Sequence, residues 1–520
     1  MLFDTDRIAA FVFESTGPPV LAGASKILRD LNDDIATLHP DETVYSGGGE
    51  GMLLVEAQSA PALCEEIERS FAERSGGALG VTVASLPISP EDFLAAPGAE
   101  QTASRGVRLV AGSQAVLARL RDQVQLQKQG RLPSRRQVAE SAERCISCRD
   151  RTAGSRPSPR IAADGKPDGH LCDACGLRWD EGKDLIAGNS FDDLVKQFKA
   201  RTLGERAAGA RAQYLGFLYA DGNAMGSLFG RLGSLAELRF ASRAVAAVFA
   251  GADDRARQEV AKLVRVESAR ERPLLSLLGG GDEAIWIAPG AIAVHLAAKL
   301  PRWIEDEAAA VPGLGAFLAG HGTPELTFGA GLVLCDRGFP VRYQHELAEA
   351  LRKSAKGMFH GAPAAQVASS IDFAVLTEAS PWSEDLAATR ALAYRTDEED
   401  FVRTCRPYRY ADFTDLLDLA CRASAKGLGK SQLHALQAGA TEGRAVFLNY
   451  LRYQIARRGV GDSYRAWMDG VTLADPAAIE RFFLRRLSAP GEAERWGTWV
   501  PDLLELKPFV DLLAGGVPGG

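Results

Sequence analysis

Two segments of this chain place acidic side chains where chemistry can use them. In Leu277-Leu278-Gly279-Gly280-Gly281-Asp282-Glu283-Ala284-Ile285-Trp286, two short apolar runs flank a glycine cluster that ends in two adjacent acids. That pattern predicts a β-hairpin whose tight turn uses the φ > 0 freedom of glycine, with Asp282 and Glu283 at the tip of a sheet. In Leu215-Gly216-Phe217-Leu218-Tyr219-Ala220-Asp221-Gly222, Asp221 falls where an apolar run of strand length gives way to glycine. Acids in a turn between buried strands are commonly plain turn chemistry. A second acidic strand end is what turns the pair into a candidate site. Converging carboxylates can hold Mg²⁺ or Mn²⁺ against nucleotide phosphates, because hard cations take oxygen ligands and not Cys or His. Residues 228–249 follow with helical spacing.

These residues resemble a known family. Gly280-Gly281-Asp282-Glu283 with Asp221 on the preceding strand is similar to the Palm domain of nucleotidyl cyclases and polymerases. The nearest likeness is to the large subunit of type III CRISPR effector complexes, which makes cyclic oligoadenylates. The family motif is Gly-Gly-Asp-Asp, so Glu283 is a departure, one methylene longer with its charge kept. Diguanylate cyclases also carry a Gly-Gly-acid-Glu turn. The resemblance implies Asp221, Asp282 and Glu283 as catalytic magnesium ligands, with Gly222, Gly280 and Gly281 admitting the nucleotide closely. Thr327-Phe328-Gly329-Ala330-Gly331-Leu332-Val333-Leu334 resembles the family's next core strand, and 346–356 its alanine-lysine helix. That implies Lys356 as a triphosphate ligand, with Arg352 and Lys353 as further candidates; a Lys near a helix C-terminus is otherwise a favourable dipole partner. Ser370-Ile371-Asp372-Phe373 resembles the closing strand, where Asp372 reads as structural.

The chain also repeats itself. Val44-Tyr45-Ser46-Gly47-Gly48-Gly49-Glu50-Gly51-Met52-Leu53-Leu54-Val55 has the same strand, glycine turn and strand. Aligned on the glycines, Glu50 falls opposite Asp282 and Gly51 opposite Glu283. Asp4 can be set against Asp221. The expectation is a duplicated Palm whose first copy is degenerate and supports a second nucleotide or the interface between the Palms.

Four of the eight cysteines form two pairs, Cys145-Ile146-Ser147-Cys148 and Cys172-Asp173-Ala174-Cys175, separated by a polar loop. Two such knuckles are a strong zinc signal, since both thiolates of each pair can reach one tetrahedral ion. A four-sulfur site is closed, so the expected Zn²⁺ is structural. His170 lies nearby and reads as a loop residue. Cys64, Cys335, Cys405 and Cys421 are scattered, and core packing is their default reading.

At 520 residues, with 46% hydrophobic and 24% charged residues, the composition is ordinary for a globular protein of several domains. There is no basic segment followed by an apolar signal core, and no apolar run long enough to span a bilayer, so the expected compartment is the cytoplasm. A net charge of −7 excludes wholesale coating of nucleic acid. Any RNA contact must be local. One candidate is the stretch with Arg131, Arg135, Arg136, Arg144, Arg149, Arg151, Arg156 and Arg160, which a solvated loop explains about as well.

The fold class expected is α+β: two ferredoxin-like Palm domains with helices on one face of each sheet, a zinc-binding insert and a C-terminal helical domain. The boundaries are 1–106 for the first Palm, 107–189 for a helical connector (114–129) and zinc domain, 190–378 for the second Palm, and 379–520 for the helical domain. Beyond Pro381 strand signals fade, while 412–423, 431–438 and 444–457 carry helical spacing. The resemblance implies that this last domain packs against other effector subunits. Many family members begin with a histidine-aspartate nuclease domain; none of the seven histidines here is followed by Asp, so nuclease activity by that route is not expected.

Two functions are consistent with these features. The first is a nucleotidyl cyclase, dependent on Mg²⁺ or Mn²⁺, that converts ATP to cyclic oligoadenylate in antiviral defence. The second is a catalytically weak scaffold subunit that holds guide and target RNA and its companion subunits. A diguanylate-type cyclase would leave the zinc loop and the first Palm unexplained.

Overall fold

The computed structural model describes residues 1–89, 111–130, 143–159, 165–186, 188, 190–200, 210–266, 268, 271–277, 281–363, 366–377, 385–426, 428–488 and 493–514. The expected boundaries at 106/107 and 378/379, the arginines at 131, 135, 136 and 160, and Gly280 lie outside these residues. No described helix is long and apolar enough to cross a membrane.

Two sheets share one plan. In the first, strands Leu2–Asp6, Thr43–Gly47, Glu50–Leu53 and Gly80–Ala84 alternate with helices as βαββαβ. Their spatial order is second, third, first, fourth, all antiparallel. The second sheet repeats this order with Tyr214–Gly222, Leu275–Leu277, Glu283–Pro289 and Phe328–Asp336. It then adds Ser370–Val375, parallel to Phe328–Asp336, and Tyr408–Arg409 at the edge. The helix after the fourth strand also recurs, as Ala111–Gly130 and Val341–Gly357.

The second sheet corrects one expectation, because both of its faces are covered. Leu218, Ala220, Ala284, Trp286 and Ala288 pack with the helices Leu235–Val264 and Gly290–Ala310. Phe217, Tyr219, Ile285, Ile287 and Val333 pack with helix Val341–Gly357 and with Phe11 and Phe13 of the first unit. A strand buried on both sides reads as an unbroken apolar run, which is why 215–220 shows no alternation. The expected helix over 228–249 is also divided: Met225–Phe229 ends near Gly230 and Gly233, and Ser234 caps Leu235–Val264 by accepting from the Glu237 amide.

The cysteine-rich segment sits on the first unit. Helices Pro18–Leu38 and Asp173–Gly182 cross at glycines: a Cβ on Gly23 would lie 1.6 Å from the Arg178 carbonyl oxygen, and one on Gly182 1.8 Å from that of Pro19. Only bare backbone permits that approach.

The C-terminal region is mainly helical, with Tyr410–Ala425, Lys430–Thr441, Arg444–Ala456 and Val500–Ala514 among its helices. It also contains a three-stranded sheet of Phe401–Val402, Trp496–Thr498 and Leu484–Arg486. Strands this short carry no legible period, so the sequence reading missed them. Arg406, buried here, pairs with Asp502 at 2.8 Å and donates to the Phe373 carbonyl at 3.0 Å, tying this region to the second sheet.

Candidate active site

The central strand of the second sheet ends at the site. Asp221 stands opposite Glu283 on one neighbouring strand and Gly329 on the other. Glycines clear the space around it. A Cβ on Gly222 would lie 2.9 Å from the Asp282 carboxylate, and one on Gly329 2.5 Å from Lys356 Cγ. Gly281 has φ +74° and turns the chain at the hairpin tip. The Gly222 amide donates to the Asp282 carbonyl at 3.0 Å and closes that turn against the central strand.

Helix Val341–Gly357 brings the cations. Gly331 lets its backbone lie against the sheet, since a Cβ there would meet the Ala348 carbonyl at 2.1 Å. Arg352 and Lys356, one turn apart, both donate to the Asp221 carboxylate. Lys356 also donates to the Gly222 carbonyl at 2.6 Å. The Arg352 guanidinium lies 4.8 Å from the centroid of the Tyr219 ring, and the Tyr219 hydroxyl donates to Glu283 Oε1 at 2.7 Å. Sequence reasoning passed over Tyr219; the available signal was its place two residues before Asp221, on the same face of the strand.

Burial and neighbouring negative charge disfavour ionisation of these acids. Burial, then the nearby carboxylates of Asp221 and Glu283, push Asp282 up to about 7. Glu283 is also raised, chiefly by burial, while the Tyr219 hydrogen bond opposes the rise. Such a site suits a divalent cation, which would relieve this repulsion with oxygen ligands. The three carboxylates are not gathered into one ligand shell: among the described residues, only the four cysteines bring three or more metal-ligating atoms within 4.8 Å of one another. Asp221 lies near enough to Asp282 for their charges to repel, whereas Glu283 accepts from Tyr219.

The first sheet carries a parallel arrangement, shifted from the alignment on glycines. Asp4 registers with Glu50 as Asp221 registers with Glu283. Glu50 is thus the counterpart of Glu283 and not of Asp282; sequence matching slipped by one because three glycines precede the acid in both turns. Lys128, on the helix after the fourth strand, pairs with Asp4 at 2.7 Å and Asp6 at 3.2 Å. It takes the place that Lys356 has in the second sheet.

A cavity of about 260 Å³ joins the two halves. Tyr45, Gly47, Glu50 and Arg121 line it from one side, and Gly226, Ser242, Gly281 and Asp282 from the other. A wider cleft of about 1420 Å³ lies against the C-terminal region and holds none of these acids. Several of its arginines are already engaged, Arg390 by Asp372 and Arg485 by Asp412.

The cysteine centre is closed. Cys145, Cys148, Cys172 and Cys175 are all buried, and their sulfurs lie within 4.8 Å of one another. Cys148 and Cys172 have their sulfurs 3.9 Å apart, near the roughly 3.8 Å edge of a tetrahedron built on zinc–sulfur bonds of about 2.3 Å. These four thiols therefore fit Zn²⁺. Arg178, fully buried, donates to Cys175 Sγ at 3.3 Å and to the Phe11 carbonyl at 2.6 Å, and also to Glu14. Arg151 reaches the same Glu14 at 2.6 Å. His170 stands outside the cluster, 3.2 Å from Glu143. Arg151, with Arg156 on Asp180, accounts for part of the basic stretch by internal pairing.

No protein-family model matches the chain, and no curated protein matches it. Solved structures do. The crystal structure of Csm1 in T. onnurineus aligns with a TM-score of 0.54 at 15% identity, covering 98% of this chain and 69% of that one. A Csm1–Csm4 cassette in complex with one ATP aligns at 0.53 and 15% identity, over the same shares of both chains. The cassette in complex with cA3 aligns at 0.51 and 14% identity, again over 98% and 69%. Over nearly its whole length, this chain has the fold of Csm1 of type III CRISPR complexes.

Proposed function

We propose that this chain is a nucleotidyl cyclase that converts ATP into cyclic oligoadenylate, acting as the large subunit of a type III CRISPR effector complex. The observation that carries the reading is the meeting of Asp221 and Asp282 at a strand end, with Arg352 and Lys356 brought over them by one helix. The likeness to Csm1 structures that hold ATP, AMPPNP, cA3 and cA4 supports it. Csm4 in those cassettes gives the kind of partner expected, together with guide and target RNA.

Asp221 and Asp282 would hold Mg²⁺ or Mn²⁺, with Glu283 beside them. When bound, the cation supplies Lewis-acid polarisation of the α-phosphate and neutralises departing pyrophosphate. Arg352 and Lys356 stand where a triphosphate's charge would draw them from Asp221, freeing that carboxylate for the cation. The bare backbone at Gly281 leaves open space beside Asp282, with nothing within 4 Å of an added Cβ. The cavity between the two sheets can seat a base next to Asp282 and away from bulk water. Zn²⁺ at Cys145, Cys148, Cys172 and Cys175 would be structural.

A scaffold without synthesis is favoured by one observation, the pairing of Asp221 Oδ2 with two cations, which resembles the Lys128–Asp4 pairing in the sheet expected to be inert. The two readings separate on synthesis by the wild type, which Asp282→Ala should abolish while leaving the fold intact. Product retained at the wild-type rate would contradict the cyclase.

A further inference from the structure

Glu283 is the residue at which this chain departs from the Gly-Gly-Asp-Asp pattern, and the structure gives it a partner of its own. Tyr219 registers with Ile285 and Asp221 with Glu283, so Tyr219, Asp221 and Glu283 share one face of the sheet. Tyr219 and Glu283 are diagonal cross-strand neighbours there, a separation that long and aromatic side chains bridge. The phenol donates to Oε1 at 2.7 Å, and no hydrogen bond from the described residues reaches Oε2. An aspartate at 283, one methylene shorter, would draw back from that hydroxyl by about one carbon–carbon bond.

Tyr219 is itself held firmly. Its ring lies between the Arg352 guanidinium at 4.8 Å and the His345 ring, stacked at 5.8 Å with an interplanar angle of 24°. Arg352 in turn donates to Asp221. One side chain therefore links both acids of the register pair, by its hydroxyl to Glu283 and through Arg352 to Asp221. The first sheet repeats the pairing in another form, with the Tyr45 hydroxyl donating to Glu50.

We propose that Tyr219 is a positioning residue for the metal site: its hydroxyl fixes the Glu283 carboxylate by one oxygen and leaves the other to serve beside Asp221 and Asp282. This makes a glutamate workable at the position that takes aspartate in the Gly-Gly-Asp-Asp pattern. The inference rests on the reading that these acids hold the divalent cation.

The test uses four full-length proteins: wild type, Tyr219→Phe, Glu283→Asp and the double variant. The phenylalanine keeps the ring between Arg352 and His345, so the fold is retained. Mn²⁺ binding in the presence of AMPPNP is followed by electron paramagnetic resonance, and kcat and KM for ATP are measured alongside. Tyr219→Phe should weaken Mn²⁺ binding about tenfold, as loss of an outer partner of a metal ligand does, and lower kcat with KM little changed. On the Glu283→Asp background the same change should have no further effect. Equal Mn²⁺ binding by wild type and Tyr219→Phe would overturn the proposal, as would an equal loss on both backgrounds. Coupled Mn²⁺ binding without any product would uphold Tyr219 and sink the cyclase reading alone.

Discussion

Gly47 lies against Gly281: a Cβ added to Gly47 would sit 3.6 Å from the Gly281 amide nitrogen, with no side chain between them. Gly47 and Gly281 therefore face each other, and each lies close to an acid, Glu50 in one sheet and Asp282 in the other. The cavity between the sheets touches both acids. Two units of the same βαββαβ plan thus enclose a shared chamber. The copies differ in the cations over the strand end: Lys128 serves Asp4, while Arg352 and Lys356 both serve Asp221.

Asp282 should make the magnesium-free protein lose stability as pH rises. Held up to about 7 in the fold by burial and by Asp221 and Glu283, it ionises near pH 4 once the chain unfolds. Between those values the folded state carries the extra proton, so the contribution of this group to stability is full below about pH 4 and is lost as pH climbs through 7. Asp282→Asn should flatten this slope and unfold at higher urea than wild type at pH 8. Chelators must be left out, to spare the cysteine centre. Parallel pH profiles for the two proteins would count against the crowding of acids at the hairpin tip.

One Zn²⁺ per chain should be found, and its removal should loosen the first unit before the second. The link is Arg178, which joins Cys175 to the Phe11 carbonyl and to Glu14. Hydrogen exchange after chelation should quicken in helices Ile8–Phe13 and Pro18–Leu38 and stay slow in strand Tyr214–Gly222. Uniform exchange changes across both sheets would contradict this.

Gly23→Ala should destabilise the same junction, because the added methyl meets a backbone carbonyl that cannot move aside. A loss of about 1–3 kcal/mol or more is expected from such overpacking. Thermal unfolding unchanged from wild type would mean that the two helices do not cross this closely.

How far the sequence could be read depended on the range of the interaction. Asp282 and Glu283 were legible because a glycine turn and its flanking strands lie within ten residues, and Asp221 because a strand end is a local event. The four cysteines were legible because ligand spacing within each knuckle is fixed by the metal. The register of the first hairpin was not, since three glycines allow a slip of one residue and only pairing with Leu2–Asp6 decides it. Lys128 acts from a helix over a hundred residues away, which nothing near it in sequence marks; the place of Tyr219 two residues before Asp221 marks its face of the strand but not its partner across the sheet. Gly23 and Gly182 read as ordinary helical glycines until the two helices are seen to cross.

Removing Asp502 should undo the attachment of the C-terminal region to the second sheet. Asp502 is buried and accepts from Thr404, the Cys405 amide, Arg406 and Tyr408. Asp502→Ala leaves the Arg406 guanidinium, 1% exposed, without its nearest counter-charge, which typically costs about 3–5 kcal/mol. Urea unfolding would measure it, and a loss below about 1 kcal/mol would contradict the pairing.

The most direct measurement is product formation. Purified wild type and Asp282→Ala, alone and with co-purified partners, would be incubated with Mg²⁺ or Mn²⁺ and each labelled nucleoside triphosphate, and the products resolved by mass spectrometry. The account predicts cyclic oligoadenylate from ATP with the wild type only. No cyclic product under any condition, with ATP still bound, would contradict it and leave the chain a scaffold.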